Sequence, residues 1–429
     1  MIMSPIDWKK KTIDGWLIFQ RLIRSDSSLG HFAENGVVLF LFRIKTKNYE
    51  GVSLHIAYFS NQFADREGHG LARYSHQLYA SLCKTRPEIK VIPVAAWSSR
   101  NADEVSQLRE SYELQLLPWG RRWTPLAWAF LDRPPVEYWL RSPVDVVHAV
   151  SLGYPISTRK PYVVTVHDIG PLSHPEFFSN TRPWIMKKSL KQAIDKADAI
   201  ICVSRSTAEE VESYTGLNLS DRIQVIHEGV TPFFFEKTQT GCLATLMGLP
   251  APGTPFILAT GKISPRKNIA RLIQALSKVA EIIPHHLVLV GGSGWDMDAV
   301  YRETNNPAVA GRVHQMGYVT DDQLRALYNS ASLYIHPSLY EGFGLTVLEA
   351  MAAGCPVITS NVYSLPEVAG DAALLIDPYN ADEMAEALKA LCTNESMAEE
   401  LRRRGLERAG TFTWGKCAEQ VAEVYRRVA

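Results

Sequence analysis

Three features that many proteins carry are missing from this sequence: an excess of charge, a long apolar run and paired cysteines. The 429 residues contain 45 basic and 45 acidic side chains, so the chain offers no overall field for a nucleic-acid backbone. No apolar run reaches the roughly 18 residues of a membrane-spanning helix. The six cysteines are scattered singly, which excludes a structural zinc site and a disulfide framework. We therefore expect reduced, mostly buried thiols in a cytosolic protein, and the 46% hydrophobic content excludes a disordered chain.

Residues 1–50 differ from the rest of the chain. They carry eight basic and five acidic side chains, a net charge of +3. Lysines at 9–11 precede an apolar segment that Gln20 and Arg21 end too early for a secretory signal. We predict that residues 1–50 are an N-terminal extension, either disordered or not part of the functional protein. The alternative is a helix lying on a membrane surface.

From Leu54 onward, short apolar runs alternate with amphipathic segments. This alternation is typical of a parallel sheet that is covered by helices on both faces, so the predicted fold class is α/β. Strands are predicted over 54–59, 91–96, 144–149, 162–166, 199–203 and 223–226, and over 256–259, 287–290, 333–335, 357–359 and 373–376.

The alternation stops once, at residues 236–254, which are rich in Gly, Pro and Thr and are predicted to form a linker. We therefore predict an N-terminal doubly wound domain over 51–235 and a C-terminal one over 255–408. Open α/β sheets bind ligands at the carboxyl ends of their strands, so a ligand cleft is expected between the two domains.

The segment HPSLYEGFGLTVLEAM at 336–351 follows a predicted strand and opens a predicted helix. Its glycines allow a sharp turn and a close approach to a ligand, and the free N–H groups of the helix start favour an anion. The sequence therefore predicts a phosphate site here. It comprises Gly342, Phe343, Gly344, Leu345 and Thr346.

Two carboxylates flank this phosphate site, Glu341 on the loop and Glu349 along the helix. An ionised carboxylate accepts hydrogen bonds from the hydroxyls of a vicinal diol, so a sugar and a ribose both suit these positions. The alternative is that Glu341 caps the helix and Glu349 faces water.

A basic cluster follows the strand at 256–259. In the segment GKISPRKN at 261–268, Lys262, Arg266 and Lys267 come just before another predicted helix, which Asn268 is expected to cap. Fixed cations stabilise a diphosphate leaving group, because negative charge grows on it as its bond breaks. The alternative is that these residues only form the solvated start of a helix. This alternative is less favoured, because basic side chains interact unfavourably with the positive end of the helix dipole.

The run from 317 to 378 carries a resemblance to a known family. Its segments GYVTDDQLRALY, HPSLYEGFGLTVLEAMAAGCPVITS and SLPEVAGDAALLIDP resemble the C-terminal half of the family 4 glycosyltransferases, which are retaining enzymes with the GT-B fold. The resemblance implies two Rossmann-like domains, with Glu341 beside the donor sugar, Glu349 on the nucleotide ribose and the glycine loop on the distal phosphate. Residues 409–429, which begin with Phe-Thr-Trp, resemble the family's C-terminal helix that crosses back to the N-terminal domain.

The same resemblance extends to the basic cluster and the glycine segments. It implies that Arg266 and Lys267 hold the diphosphate, whereas Lys262 stands where the family has Arg and replaces a bidentate fork by a point charge. Gly292, in GGSGW at 291–295, would lie beside the nucleotide. In GHGLARY at 68–74, Ala72 stands where Gly is common, which leaves Gly70 to approach the donor phosphates or the acceptor.

Two histidines end predicted strands of the first half. The resemblance implies that His167 reaches the donor sugar, and its place at a strand's carboxyl end favours a functional role over a core role. His148 ends an earlier strand, and function and core packing stay equally open for it. Asp298 belongs to a D-x-D at 296–298, which we do not interpret as a metal clamp, because the cations already supply the charge. We expect no metal and no cofactor.

Residues 119–142 mix four tryptophans with arginines, a composition that suits the boundary of an anionic membrane; core aromatics with solvated arginines are the alternative. The predicted function is a metal-independent retaining glycosyltransferase that moves mannose or glucose from a GDP- or UDP-linked donor to a glycan or lipid-linked acceptor. Cell-surface polysaccharide biosynthesis, in the cytoplasm or peripherally on the inner membrane face, is its expected setting, with no nucleic-acid partner. The alternatives are a nucleotide-sugar epimerase of the same plan and a non-catalytic nucleotide-sugar binding protein.

Overall fold

The structure is a computed structural model that describes residues 54–64, 70–96, 113–178, 183–238, 243, 248–295 and 297–429. The predictions for residues 1–50, for the first two residues of the segment 68–74, for residues 239–242 and 244–247 of the linker and for Asp296 lie outside these ranges.

In the described part of the chain, seven parallel strands form a first sheet, in the order β3-β2-β1-β4-β5-β6-β7. We call the unit around it the first lobe (residues 54–235). The strands β4 and β5 are buried along their whole length, as expected for a sheet covered on both faces. The strands are β1 (Leu54–Phe59), β2 (Ile89–Ala95), β3 (Gln115–Leu116), β4 (Val146–Ala149), β5 (Tyr162–Val166), β6 (Ala199–Cys202) and β7 (Ile223–Val225).

Six parallel strands form a second sheet in the described residues, in the order β10-β9-β8-β11-β12-β13. We call the unit around it the second lobe (residues 256–410). The strand order reverses between β8 and β11, and the loops that follow these two strands therefore open side by side. The strands are β8 (Phe256–Thr260), β9 (His286–Val290), β10 (Val313–Gly317), β11 (Leu333–His336), β12 (Val357–Ser360) and β13 (Leu374–Ile376).

Helices cover both sheets. The amphipathic pattern predicted after Asn268 forms a helix whose apolar face is buried against the second sheet. The helices are α1 (Gly70–Thr85), α2 (Gly120–Leu131), α3 (Gly170–Ser173), α4 (Pro183–Lys196), α5 (Arg205–Thr215), α6 (Ile269–Val279), α7 (Met297–Thr304), α8 (Asp321–Ser330), α9 (Leu345–Ala352), α10 (Leu365–Ala369), α11 (Ala381–Thr393), α12 (Glu395–Gly410) and α13 (Trp414–Val428). Single 3₁₀ turns lie at Asn61–Ala64, Val136–Trp139, Pro175–Phe177, Pro232–Phe235 and Pro265–Lys267.

The predicted α/β fold with two Rossmann-like sheets is confirmed, and the sequence missed two strands. These are β3 and β10, which lie at the edges of their sheets. An edge strand packs against a neighbour on one side only, so its residues need not be apolar; Val313–Gly317 is partly exposed throughout.

The expectation that Asn268 caps α6 is wrong. Asn268 holds the N-cap position at φ 59°, but its side chain makes no capping bond. Its amide instead donates to the carbonyls of Pro337 at 3.1 Å and Pro378 at 2.7 Å. The residue therefore ties the loop after β8 to the loops after β11 and β13.

The last helix, α13, packs on α1 of the first lobe. Val230 N–H donates to the Phe412 carbonyl at 3.0 Å, and Arg86 pairs with Glu419 at 2.7 Å. The chain thus crosses between the lobes a second time beside the first crossing. No described helix is both long enough and apolar enough to span a bilayer.

Candidate active site

A cavity of about 420 Å³ lies between the first residues of α1 and the carboxyl ends of β8 and β9. Two strand ends and two helix starts meet here because the parallel strands all end at this edge of their sheets. The predicted site residues that line the cavity are Gly70, Lys262, Gly292, Leu345, Thr346 and Glu349.

Glu341 lies among three nitrogen groups of the second lobe. Its Oε2 pairs with Arg266 Nη1 at 2.6 Å, and its Oε1 with Lys267 Nζ at 2.7 Å. His336 Nε2 lies 3.0 Å from the same Oε1. The loops after β8 and β11 bring these groups together because those two strands are neighbours.

This cluster faces the other lobe. The Arg266 guanidinium lies 5.9 Å from the ring centroid of Phe178, a first-lobe residue. A Cβ added to Gly261, which lines the cavity, would lie 3.3 Å from Lys267 Nζ, so the ammonium lies close behind this part of the cavity wall. The structure therefore brings Glu341, Arg266 and Lys267 to one interlobe space.

The charge state of the cluster follows from its contacts. Burial alone would raise the pKa of Glu341, but Arg266, Lys267 and His336 hold it well below its usual value. Burial lowers the pKa of Lys267, and Glu341 opposes that shift. Glu341 is therefore an ionised carboxylate with two cations.

His336 is a site residue that the sequence analysis missed. Burial, with Lys267 next in effect, lowers its pKa to about 4, so the ring is neutral at physiological pH. A carboxylate only accepts, so Nε2–H donates to Glu341. Nδ1 then accepts from the Tyr334 hydroxyl at 2.9 Å, which lies 2.8 Å from Thr260 Oγ1. The available signal was a histidine at the carboxyl end of a strand.

The predicted phosphate site lies at the start of α9. Gly344, at φ 117°, is the N-cap and provides no side-chain cap, so the first N–H groups of the helix stay open to a ligand. Phe343 cannot contribute its side chain, because its buried ring packs against His227 and Phe412. Only the backbone of Phe343 is therefore left to contribute to the predicted phosphate site.

Gly342 lies at a close contact between the two lobes. A Cβ at this position would lie 2.0 Å from the His167 carbonyl oxygen, so only glycine fits. The Gly342 carbonyl accepts from Ser204 Oγ at 2.8 Å and from Thr207 Oγ1 at 3.1 Å. In this structure, Gly342 therefore contacts the first lobe directly.

Glu349 does not face water, since only 4% of it is exposed. Its Oε1 accepts from Arg73 Nη1 at 2.8 Å, and Arg73 Nη2 donates to Asp321 Oδ1 at 2.8 Å. Burial raises the pKa of Glu349 to about 7, and Arg73 opposes the shift. Arg73 stands in the GHGLARY segment, but nothing in the sequence indicated its partners.

His167 lies at the end of β5 with both ring nitrogens in use. Nδ1 lies 2.9 Å from a Glu228 carboxylate oxygen, and Nε2 lies 3.0 Å from the Val150 carbonyl. Both partners are oxygen acceptors, so neither ring nitrogen is open to a further ligand. In this conformation, His167 bonds a sugar only by releasing one of these partners.

His148 is a core residue. It is fully buried between the Tyr425 hydroxyl at 2.7 Å and Thr165 Oγ1 at 2.8 Å. Burial lowers its pKa to about 3, so it is neutral and links α13 to the first sheet.

The tryptophan-rich segment divides between core and surface. Trp128 is buried and packs against Trp139 at 6.0 Å between ring centroids. Phe130 of α2, however, is exposed and stacks with the exposed Trp184 of α4 at 6.1 Å, with Lys188 Nζ 5.6 Å from the Phe130 centroid. Among the described residues, no three His, Cys, Asp or Glu side chains are placed to hold a metal ion.

Comparisons with known proteins agree over most of the chain. Residues 68–232 match the family described as Glycosyltransferase Family 4, and residues 249–408 match Glycosyl transferases group 1. The chain is 32% identical over 365 residues to the O-antigen chain mannosyltransferase B of Escherichia coli, which covers 83% of this chain and 96% of that protein.

Two solved structures share the fold. Sucrose-phosphate synthase from Thermosynechococcus elongatus superposes with a TM-score of 0.67 at 22% identity, over 87% of this chain and 99% of that one. The Anabaena protein HepE in complex with UDP-glucose gives a TM-score of 0.66 at 17% identity, over 87% of this chain and 100% of that one.

Proposed function

Because the chain belongs to the group 1, family 4 glycosyltransferases, we propose that it transfers a hexose with retention from a nucleotide diphosphate sugar to a hydroxyl of a glycan or lipid-linked acceptor. The name of the Escherichia coli relative supports mannose and cell-surface polysaccharide synthesis. The UDP-glucose complex of HepE supports a nucleotide-linked glucose donor as the second choice. The donor is thus GDP- or UDP-linked.

The observation that carries this proposal is the cluster of Glu341 with Arg266 and Lys267, which lies behind Gly261 of the cavity wall. Two cations face the one carboxylate of Glu341 here, and the Asp168 carboxyl, whose pKa burial raises, interacts with Arg266 as well. A diphosphate can accept hydrogen bonds from both cations, and the open helix start at Gly344 adds backbone donors. Glu341 holds the two cations in place until the donor arrives.

The proposed reaction needs no protein nucleophile. The bond between the anomeric carbon and the diphosphate oxygen breaks, and the electron pair leaves with the diphosphate. Arg266 and Lys267 stabilise that charge. The acceptor oxygen forms its bond to the anomeric carbon on the same face, and its proton passes to the departing diphosphate. Glu341 stabilises the positive charge on the sugar during this exchange.

The setting of the reaction is also a proposal. The exposed stack of Phe130 and Trp184, with Lys188 beside it, combines aromatic and basic groups as at the surface of an anionic membrane. Peripheral contact of the first lobe with the cytoplasmic membrane face would bring a lipid-linked acceptor near the cleft. Co-sedimentation with vesicles tests this contact. Wild type should sediment with vesicles that contain anionic lipid more than with vesicles that lack it, and the Phe130→Ser/Trp184→Ser protein should lose this difference.

The reaction itself is tested in two stages. Thermal-shift screening against GDP- and UDP-linked mannose and glucose identifies the donor, and NMR of the glycoside formed with that donor reads the anomeric configuration. Retention of the donor's configuration is expected; inversion contradicts the proposed mechanism. The donor incubated without acceptor must stay unisomerised, since an epimerised sugar supports an epimerase, and binding without any transfer supports a non-catalytic binding protein.

A further inference from the structure

Arg73 of the first lobe joins two carboxylates of the second lobe. Its guanidinium donates to Glu349 on α9 and to Asp321 at the start of α8, both at 2.8 Å. The side chain of Arg73 is 11% exposed and that of Glu349 is 5% exposed, whereas Asp321 is 57% exposed. The pair with Glu349 is therefore shielded from water, and it crosses the cleft at the wall of the cavity.

The position of Arg73 is fixed from the first lobe as well. It lies in the first turn of α1, three residues after Gly70, and its guanidinium lies 5.3 Å from the ring centroid of Phe234. Phe234 is fully buried in the segment that leaves the first lobe. A guanidinium held over an aromatic ring keeps its planar fork in one orientation.

The charged groups around Glu349 affect how it can bind a ligand. The Glu349 carboxyl is surrounded by Arg73, Asp321, Tyr328 and, at longer range, Glu228. Arg73 is the cation among these groups, and the two other carboxylates repel an ionised Glu349. A ribose diol donates its hydrogen bonds best to an ionised carboxylate.

We propose that Arg73 is a positioning residue for the donor nucleotide: it orients the Glu349 carboxylate for the ribose and favours its ionised form, and so makes ribose binding depend on the first lobe. This proposal rests on the proposed function, in which the cavity binds a nucleotide diphosphate sugar. Arg73 acts on the ribose through Glu349, and the diphosphate is held elsewhere, by Arg266 and Lys267.

The test compares two ligands. The probes are the better bound of GDP and UDP, and inorganic pyrophosphate, which has the phosphates but lacks the ribose. Dissociation constants are measured by calorimetry at pH 7 and pH 9 for wild type, Arg73→Gln and Arg73→Lys. The ratio of variant to wild type at each pH cancels the titration of the ligand itself.

For Arg73→Gln, we expect nucleotide affinity to fall roughly tenfold at pH 7, the order of one charge-assisted hydrogen bond. The loss should shrink at pH 9, because the pKa of Glu349, already raised to about 7, rises further without Arg73, and higher pH ionises the carboxyl. Pyrophosphate affinity should not change. Arg73→Lys keeps the positive charge, so its loss at pH 7 should be smaller and less dependent on pH.

Arg325→Gln is the matched control. Arg325 is also 11% exposed, lies over a phenylalanine ring and joins two carboxylates, but it does not line the cavity. Its loss should leave nucleotide affinity unchanged, with thermal unfolding confirming that each variant folds.

An Arg73→Gln protein that binds the nucleotide as wild type does, or that loses pyrophosphate equally, overturns the inference. A deficit that is the same at both pH values also overturns it. If wild type binds neither nucleotide nor pyrophosphate, the proposed function itself fails and this inference falls with it.

Discussion

Glu341 and Glu349 are eight residues apart and both shielded from water, yet their pKa values shift in opposite directions. Burial raises the pKa of both. At Glu341, two cations and the His336 N–H overcome that effect, whereas Glu349 shares one guanidinium with Asp321. The comparison shows that the number of cations, and not burial, decides which carboxylate is firmly ionised.

The regions around the two carboxylates, the Glu341 end and the Glu349 end of the site, are therefore suited to different ligand groups. At the Glu341 end two cations face one carboxylate, so an anion can replace that carboxylate as their partner. The end at Glu349 holds no excess positive charge, since Arg73 faces two carboxylates. A neutral diol is the better partner there.

Lys267→Ala should have the largest effect on this comparison, because it removes half of the positive charge at the Glu341 end. We expect turnover to fall by roughly 10²- to 10³-fold, as when one group that stabilises developing charge is lost. The measurement is the turnover number at saturating donor, together with the melting temperature. Lys278→Ala is the control, because that lysine pairs with Asp382 on the surface. Equal turnover of both variants would contradict the assignment of Lys267 to the diphosphate site.

Glu349→Gln should change the pH dependence of stability. The folded-state pKa of Glu349 is about 7 and lies above its unfolded value, so the folded protein holds this proton more tightly. The contribution of Glu349 to stability therefore falls as pH rises from about 4 to about 7, by roughly 3 kcal/mol at about 1.4 kcal/mol per pKa unit.

Glu349→Gln removes that loss, so its stability relative to wild type should increase over the same range and then level off. Urea unfolding of both proteins between pH 4 and pH 8 measures the trend. Glu341→Gln gives the contrast: its pKa is lowered, so its contribution is present above the unfolded pKa and is lost only in acid. The same trend in both variants would contradict the comparison.

The sequence indicated Glu341, Arg266 and Lys267 because each lies in a short motif at the end of a strand, although it missed His336 beside them. Arg266 and Lys267 follow β8, Glu341 follows β11, and neighbouring parallel strands bring their loops together. Fold class and cleft followed from the same alternation of strands and helices.

The contacts at the Glu349 end could not be predicted from short sequence motifs. Arg73 and Glu349 are 276 residues apart, and their contact depends on how the lobes close. His167 is similar, since its partner Glu228 is 61 residues away and belongs to the segment leaving the first lobe. The sequence also did not predict where the Asn268 side chain points: it donates to two carbonyls instead of capping its helix.

His336→Phe should have a smaller effect on the Glu341 end. It removes the N–H that donates to Glu341 but leaves both cations, so the carboxylate loses one of its three partners. We expect about a tenfold lower turnover number, equivalent to about 1.4 kcal/mol. His336→Gln retains an N–H donor and should recover part of the loss. Recovery by Gln separates positioning from mere packing, since both variants lose the imidazole.

Tyr334→Phe should have the smallest effect, because it acts one step further from the carboxylate. The Tyr334 hydroxyl donates to His336 Nδ1 and thereby keeps the ring in the tautomer that donates to Glu341. Without it, the ring still has that N–H, so we expect turnover to fall only about two- to threefold and stability by about 1 kcal/mol. A loss larger than that of His336→Phe, measured in the same assay, would mean that the Tyr334 hydroxyl acts through its other partner, Thr260 Oγ1, and not through His336.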